Sequence, residues 1–235
     1  MTLPKIDQPT YELKLPYSKI TINFRPFVVK EEKILLLAAQ GKDEKEITRS
    51  IKQVVGNCII LPPNKKLDDF PSFEIDYIFL NMRGKSIGDK VEQEFTCNNE
   101  KDGIKCGHVF IAPLSISDVN ITEGPKENKI MLTPSFGVMM KFPSFKTYDI
   151  EDPNSGYYVL IDCIDYVFDA QQKYSFKDKT SEECIDWLES LTKEQFSKLE
   201  DWYNKMPHIQ VEKSIVCSKC GFEHKLRLED PLSFF

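Results

Sequence analysis

The chain has 235 residues, 41% hydrophobic and 29% charged, enough to bury a core as one large domain or two small ones, and disorder is excluded as its overall state. Its 31 basic and 37 acidic residues give a net charge of −6 with no long basic run, which disfavours non-specific nucleic-acid binding. The start, MTLPKIDQPTYELKL, lacks a secretion signal, and no apolar run is long enough to span a bilayer. A protein of the reducing cytoplasm is expected, without a membrane role and with its seven cysteines reduced.

From the N-terminus, Tyr11, Leu13 and Leu15 alternate with polar residues, Pro16 to Lys19 turns the chain, and Ile20, Ile22 and Phe24 alternate back. That is a hairpin over 9–27. A helix is expected from Lys30 to Gln40, stopping at Gly41. A second covers roughly 43–58, where Ile47, Ile51, Val54, Val55 and Cys58 form one apolar stripe. Ser72 is expected to cap a third, with Ile75, Ile78, Phe79 and Met82 inward and Gly84 or Gly88 beyond its end. Residues 117–128 read as a polar loop, followed by a second hairpin, Lys129–Thr133 and Val138–Phe142. The spacing of Tyr157, Leu160, Ile161, Ile164, Val167 and Phe168 then reads as helix. Thr180-x-x-Glu183 and Thr192-x-x-Gln195 are capping boxes that open two more helices. Their inward residues are Cys184 and Leu188 in one, and Phe196, Leu199, Tyr203 and Met206 in the other, while Trp187 and Trp202 fall off these stripes. Leu232, Phe234 and Phe235 put large apolar side chains at the chain end, where they are expected to pack on the protein's own core or in a partner's groove.

Two segments frame this plan: VEQEFTCNNEKDGIKCGHVFIAPLSI and IQVEKSIVCSKCGFEHKLRLED. Each reads strand, cysteine pair, glycine, strand. Val91 and Phe95 alternate before the first pair; Ile209, Val211 and Ile215 do so before the second. Phe222, Leu226 and Leu228 share a face after it. The first pair is C-x8-C-G, with Gly103 helping the finger turn, and the second is C-x2-C-G. Gly107 and Gly221 follow the second cysteine of each, where a residue without Cβ lets the backbone curl round a metal. Cys97, Cys106, Cys217 and Cys220 thus form the four ligands of a split zinc ribbon, a closed tetrahedral structural site. Buried thiols and disulfides are the competing readings. His108 and His224 lie nearby but read as exposed strand residues, and Cys58, Cys163 and Cys184 as core thiols.

The fold class expected is α+β. An N-terminal hairpin and helices occupy 1–88, and the ribbon 89–118 plus 208–235. A hairpin and helical bundle fills 119–207 between the knuckles. Phosphate loops, H-E-x-x-H and G-x-S-x-G are absent from the sequence, and three histidines leave little for acid–base catalysis, so no enzyme is expected. Asp162 and Asp165 read as a solvated face.

The whole chain resembles the T4-type bacteriophage baseplate family. The matching stretches include PTYELKLPYSKITINFRPFVVKEEKILLLAA, IKQVVGNCI, FEIDYIFLNMRGKSIGDKVEQEFTC, IDYVFDAQQKY, SLTKEQFSKLEDWYNKMP, CSKCG and the terminal LSFF. They run in one order from about residue 9 to 235. The resemblance implies a non-enzymatic role in assembling the baseplate hub, in the host cytoplasm or in the virion baseplate. Its implied partners are hub components or the tape-measure protein. The alternative from another class is a zinc-ribbon accessory of phage transcription or nucleic-acid processing. That reading calls for a basic ribbon surface, and CSKCGFEHKLRLED mixes both signs.

Overall fold

The computed structural model describes residues 6–41, 43–144, 155–177 and 179–229. The expected mixture of helices and strands is present. The apolar alternation near the start builds strands β1 (Tyr11–Lys14) and β2 (Thr21–Phe24), paired antiparallel from Tyr11 opposite Phe24 to Lys14 opposite Thr21. Helices α1 (Val29–Gly41) and α2 (Glu44–Cys58) follow, and Ile51, Val54, Val55 and Cys58 of the apolar stripe are buried. A short strand β3 (Ile59–Ile60) then joins β2 as the third strand of the sheet. Helix α3 (Ser72–Ile87) begins after Pro71, which holds the N-cap position without a side-chain bond, so Ser72 is the first helical residue and not the cap. Ile75, Ile78, Phe79, Leu80 and Met82 are fully buried, which makes α3 the central rod of the N-terminal half.

Two buried carboxylates lock this half. Glu31 pairs with Arg25 at 3.0 Å and accepts from the Val28 N–H at the start of α1. Glu74 on α3 accepts from the backbone N–H groups of Tyr17 and Ser18 at 3.0 and 2.7 Å, pinning the hairpin turn. A buried carboxylate must be met by such donors, because leaving its charge unpaired in an apolar interior is costly.

The cysteine segments come next. Strands β4 (Lys90–Thr96) and β7 (Val109–Ser115) pair along their full length, and between them lies a small hairpin of β5 (Glu100–Lys101) and β6 (Ile104–Lys105). The stretch expected to be loop contains strand β8 (Asn120–Ile121). It pairs with β13 (Ile209–Val216), which in turn pairs with β14 (Glu223–Leu228).

The region between the knuckles departs from the expected helical bundle. Strands β9 (Lys129–Met131) and β10 (Gly137–Met140) form the anticipated hairpin. Helix α4 (Ser155–Asp162), however, stops at Cys163, and Ile164–Phe168 is strand β11, not helix. β11 pairs with β10 on one side and β12 (Lys173–Ser175) on the other, completing a four-stranded antiparallel sheet. Helices α5 (Ser181–Glu189) and α6 (Lys193–Tyr203) open on the two expected capping boxes, with both reciprocal bonds made in each. Asp162 is more than a solvated face: it is half-buried and accepts from the Ser144 backbone N–H at 2.7 Å.

The buried apolar residues fall into two clusters. The first takes Leu15 through Val119 of the N-terminal half together with Ile209, Val211, Ile215 and Leu226; the second takes residues from Leu132 to Trp202. Cys58 belongs to the first and Cys163 to the second, and Cys184 is buried as well, as expected of core thiols. Among the described residues, no helix is long and apolar enough to cross a membrane.

Gly137 shows how tightly the second sheet is built. A Cβ there would lie 2.5 Å from Cζ of Phe168 and 2.9 Å from the Ile130 carbonyl oxygen. Gly137→Ala is therefore expected to cost about 1–3 kcal/mol through overpacking, read as a lower urea midpoint. An unchanged midpoint would show that the sheet yields at this position.

Candidate metal centre

Strand β4 delivers Cys97 and β13 delivers Cys217, and the chain does the same thing after each. The Cys97 N–H donates to the His108 carbonyl at 2.8 Å, and the Gly107 N–H donates back to the Cys97 carbonyl at 3.1 Å. The Cys217 N–H donates to the Phe222 carbonyl at 2.9 Å, and the Gly221 N–H to the Cys217 carbonyl at 2.9 Å. The two knuckles are thus local repeats of one backbone pattern. Gly107 and Gly221 sit at φ +57° and +71°, and an added Cβ would touch nothing within 4 Å at either. The demand for glycine is torsional, not one of space.

The wide first spacing has a simple cause. Asp102 and Gly103 both have positive φ, at 55° and 78°, and form the two-residue turn between β5 and β6. Asp-Gly is a favoured pair for such a turn because both central residues must enter the left-handed region. The finger closes on itself, the Cys106 N–H bonds the Asn99 carbonyl at 2.8 Å, and the two cysteines meet as they would across a short turn.

The structure brings all four predicted cysteines together, with their sulfurs within 4.8 Å of one another. Sγ of Cys97 lies 3.6 Å from that of Cys220, and Sγ of Cys106 lies 3.9 Å from that of Cys217. Four thiolates bound at about 2.3 Å to a central zinc ion would be about 3.8 Å apart along each tetrahedral edge. The cluster fits that geometry, and all four cysteines are free of disulfides. Cys97 and Cys217 are buried, Cys106 is half-buried and Cys220 is exposed, so each knuckle offers one inner and one outer sulfur.

The electrostatics of the cluster point the same way. Burial, reinforced by the neighbouring thiols, pushes the Cys97 thiol up to about 12. The Phe222 backbone N–H, with help from Asn99 and the neighbouring sulfurs, pulls Cys220 down to about 6 against the opposing effect of burial. Four sulfurs so close cannot all ionise unaided; a divalent cation at their centre would supply the missing positive charge.

Three side chains around the sulfurs were not singled out as participants by the sequence. Nδ2 of Asn99 is 3.6 Å from the Cys220 sulfur. Nε2 of His108 meets Oγ of Ser218 at 2.8 Å and ties the first knuckle to the second. His224 is buried, not exposed: it shares the inward parity of Leu226 and Leu228, and its Nε2 lies 3.1 Å from the Cys97 sulfur. Its ring sits 5.0 Å from that of Phe95 and 4.8 Å from that of Phe222, which fixes its orientation. Neither histidine belongs to the four-sulfur group.

This centre joins chain segments more than a hundred residues apart, and a comparison of the whole sequence with known families covers both. The family described as T4 bacteriophage base plate protein matches residues 8–235. The chain belongs to this family. No curated protein and no solved structure gives a match. The base plate match runs through both knuckles and through the sheet and helices between them.

Proposed function

We propose that the chain is an assembly factor of the phage baseplate hub, working by protein–protein contact and stiffened by one structural zinc ion. The observation that carries this reading is the base plate family match over residues 8–235, which gives the chain a baseplate role and other phage structural proteins as its setting. Hub components and the tape-measure protein are the proposed partners, and the host cytoplasm is the proposed site of action, with the factor either released as a chaperone or retained as a hub subunit. A catalytic role is not proposed. Four thiolates on one ion leave no open position for water or substrate, so the centre suits architecture and not chemistry. On this reading the ribbon, 89–118 with 208–235, clasps the N-terminal region 1–88 to the intervening region 119–207.

Nucleic acid is not a proposed partner. Residues 208–229 carry basic and acidic side chains in near balance, and the whole chain is at −6, the opposite of a phosphate-binding surface. Phage carrying a deletion of this coding region should accumulate incomplete baseplates, and the tagged chain should co-purify with a hub component or the tape-measure protein. Normal tails from the deletion phage would overturn the assembly reading. Tight, strongly salt-dependent DNA binding in a mobility-shift titration would replace it with the transcription alternative.

A further inference from the structure

Helix α5 is written SEECIDWLE, with four carboxylates and no basic residue in nine positions. Glu183 is occupied: it accepts from the Thr180 N–H and pairs with Lys179 at 3.4 Å. Glu182, Asp186 and Glu189 are exposed, and among the described residues none of them has an ion-pair partner. Beside this helix lies a cleft of about 480 Å³ between α5 and strands β11 and β12 of the sheet. Its apolar walls include Phe136, Val167, Phe176 and Trp187, and its charged lining is Asp186 with the Lys179–Glu183 pair.

Contacts within the fold hold the aromatic side of the cleft. The Phe176 and Trp187 rings meet edge to face at 5.2 Å, and Tyr174 is held by a 2.8 Å bond from its hydroxyl to Asp169. Trp187 is only half-buried, and among the described residues its indole N–H has no hydrogen-bond partner. A half-exposed tryptophan with an unused donor, set in a preformed apolar cleft, is the kind of anchor that concentrates binding energy at protein interfaces.

We propose that this cleft docks a segment of another protein that presents an apolar or aromatic side chain flanked by lysine or arginine. The apolar side chain fills the space beside Trp187 and Phe176. The flanking cations meet Asp186 and its neighbours along α5. The indole N–H binds a backbone carbonyl of the segment. Charge complementarity selects this occupant: Lys179 is taken up by Glu183, which leaves Asp186 as the unpaired charge of the lining, and an acidic segment would face it and the exposed Glu182 and Glu189 of the same helix, a like-charge juxtaposition that is strongly unfavourable. A second copy is disfavoured on the same ground if it offers its own α5.

The proposal goes beyond the baseplate role and is testable without phage. The chain has two tryptophans, so its indole N–H spectrum holds two resonances, which Trp187→Phe assigns. The probes are two blocked hexapeptides, Lys-Lys-Phe-Leu-Lys-Lys and Glu-Glu-Phe-Leu-Glu-Glu, titrated at low salt. The basic peptide should shift the Trp187 resonance saturably, with a Kd on the order of 1 mM or tighter, and leave Trp202 unmoved. The acidic peptide should bind about tenfold more weakly. Asp186→Lys changes an exposed side chain and should weaken the basic peptide by about tenfold without changing the melting temperature. An unmoved Trp187 resonance, equal response to both peptides, or no effect of Asp186→Lys overturns the proposal. So does a Trp187 shift that tracks protein concentration without peptide, which would mark the cleft as a contact between copies.

Discussion

Cys217→Ser is expected to lose the metal and much of the protein's stability together. Structural zinc sites carry large apparent binding energies, about 10–16 kcal/mol in isolated fingers, and the site does not exist in the unfolded chain, so binding energy becomes folding energy. Losing one buried thiolate of four should forfeit at least about 3 kcal/mol of this, which for a chain of this length lowers the melting temperature by roughly 6–12 °C. The effect should be larger than the local contacts suggest, because the four sulfurs tie β4 to β13 across more than a hundred residues, and closing so long a loop is entropically costly. Cys163→Ser is the control. Cys163 is fully buried and its thiol is held neutral by burial, so this variant should keep the zinc and lose less stability. Elemental analysis of the reduced wild-type protein should return about one zinc per chain. Retention of both zinc and the wild-type melting temperature by Cys217→Ser would refute a structural zinc site.

How much of this centre was legible beforehand depends on how local each signal is. The knuckles were readable because everything they need lies within a few residues: strand alternation up to Cys97 and Cys217, and glycine after Cys106 and Cys220 where φ must be positive. The role of His224 was not readable, because its burial depends on where Phe95 of the other segment lies. Strand β8 was missed for a related reason: its partner at Ile209 is 88 residues away from Ile121, and nothing in a two-residue strand announces that pairing.

The misreading of Ile164–Phe168 is more instructive. Along the sheet, Val138 faces Val167 and Met139 faces Tyr166, but Met140 faces Ile164. Asp165 is therefore an extra residue on β11, a bulge, and it shifts the inward positions from alternate residues to Ile164 and Val167. That i, i+3 spacing is the mark of a helix, so the periodicity was real and its cause was different. β-branched and aromatic residues in IDYVF, and Cys163 ending the preceding helix, are the local features that favour strand. Trp202 was placed off its helix's stripe by the same kind of short-range reading. In the fold it is buried, stacks on Phe142 at 5.4 Å and donates its indole N–H to the Glu127 carbonyl.

That stack leads to the last prediction. The second apolar cluster meets the N-terminal half at a group of aromatic rings. Phe142 packs at 4.9 Å from Tyr17, 5.4 Å from Phe73 and 5.4 Å from Trp202. Tyr17 and Phe73 belong to the N-terminal half and Trp202 to the second cluster, so one side chain bridges both. The rings are edge to face on the Tyr17 and Phe73 side, the arrangement their quadrupoles favour, and Glu74 fixes the Tyr17 backbone beneath them. Phe142→Ala should cost about 3 kcal/mol, the low end for a large aromatic truncation because the ring is only half-buried. The loss should fall on the coupling between the clusters more than on either one. Thermal unfolding followed by calorimetry should then separate into two transitions, where the wild type gives one. Phe142→Leu, which keeps apolar bulk but removes the ring, should lower stability less and leave a single broadened transition. If Phe142→Ala unfolds in one transition at the wild-type temperature, the rings are not what joins the halves, and the link lies in other contacts such as the Pro71–Ser144 bridge.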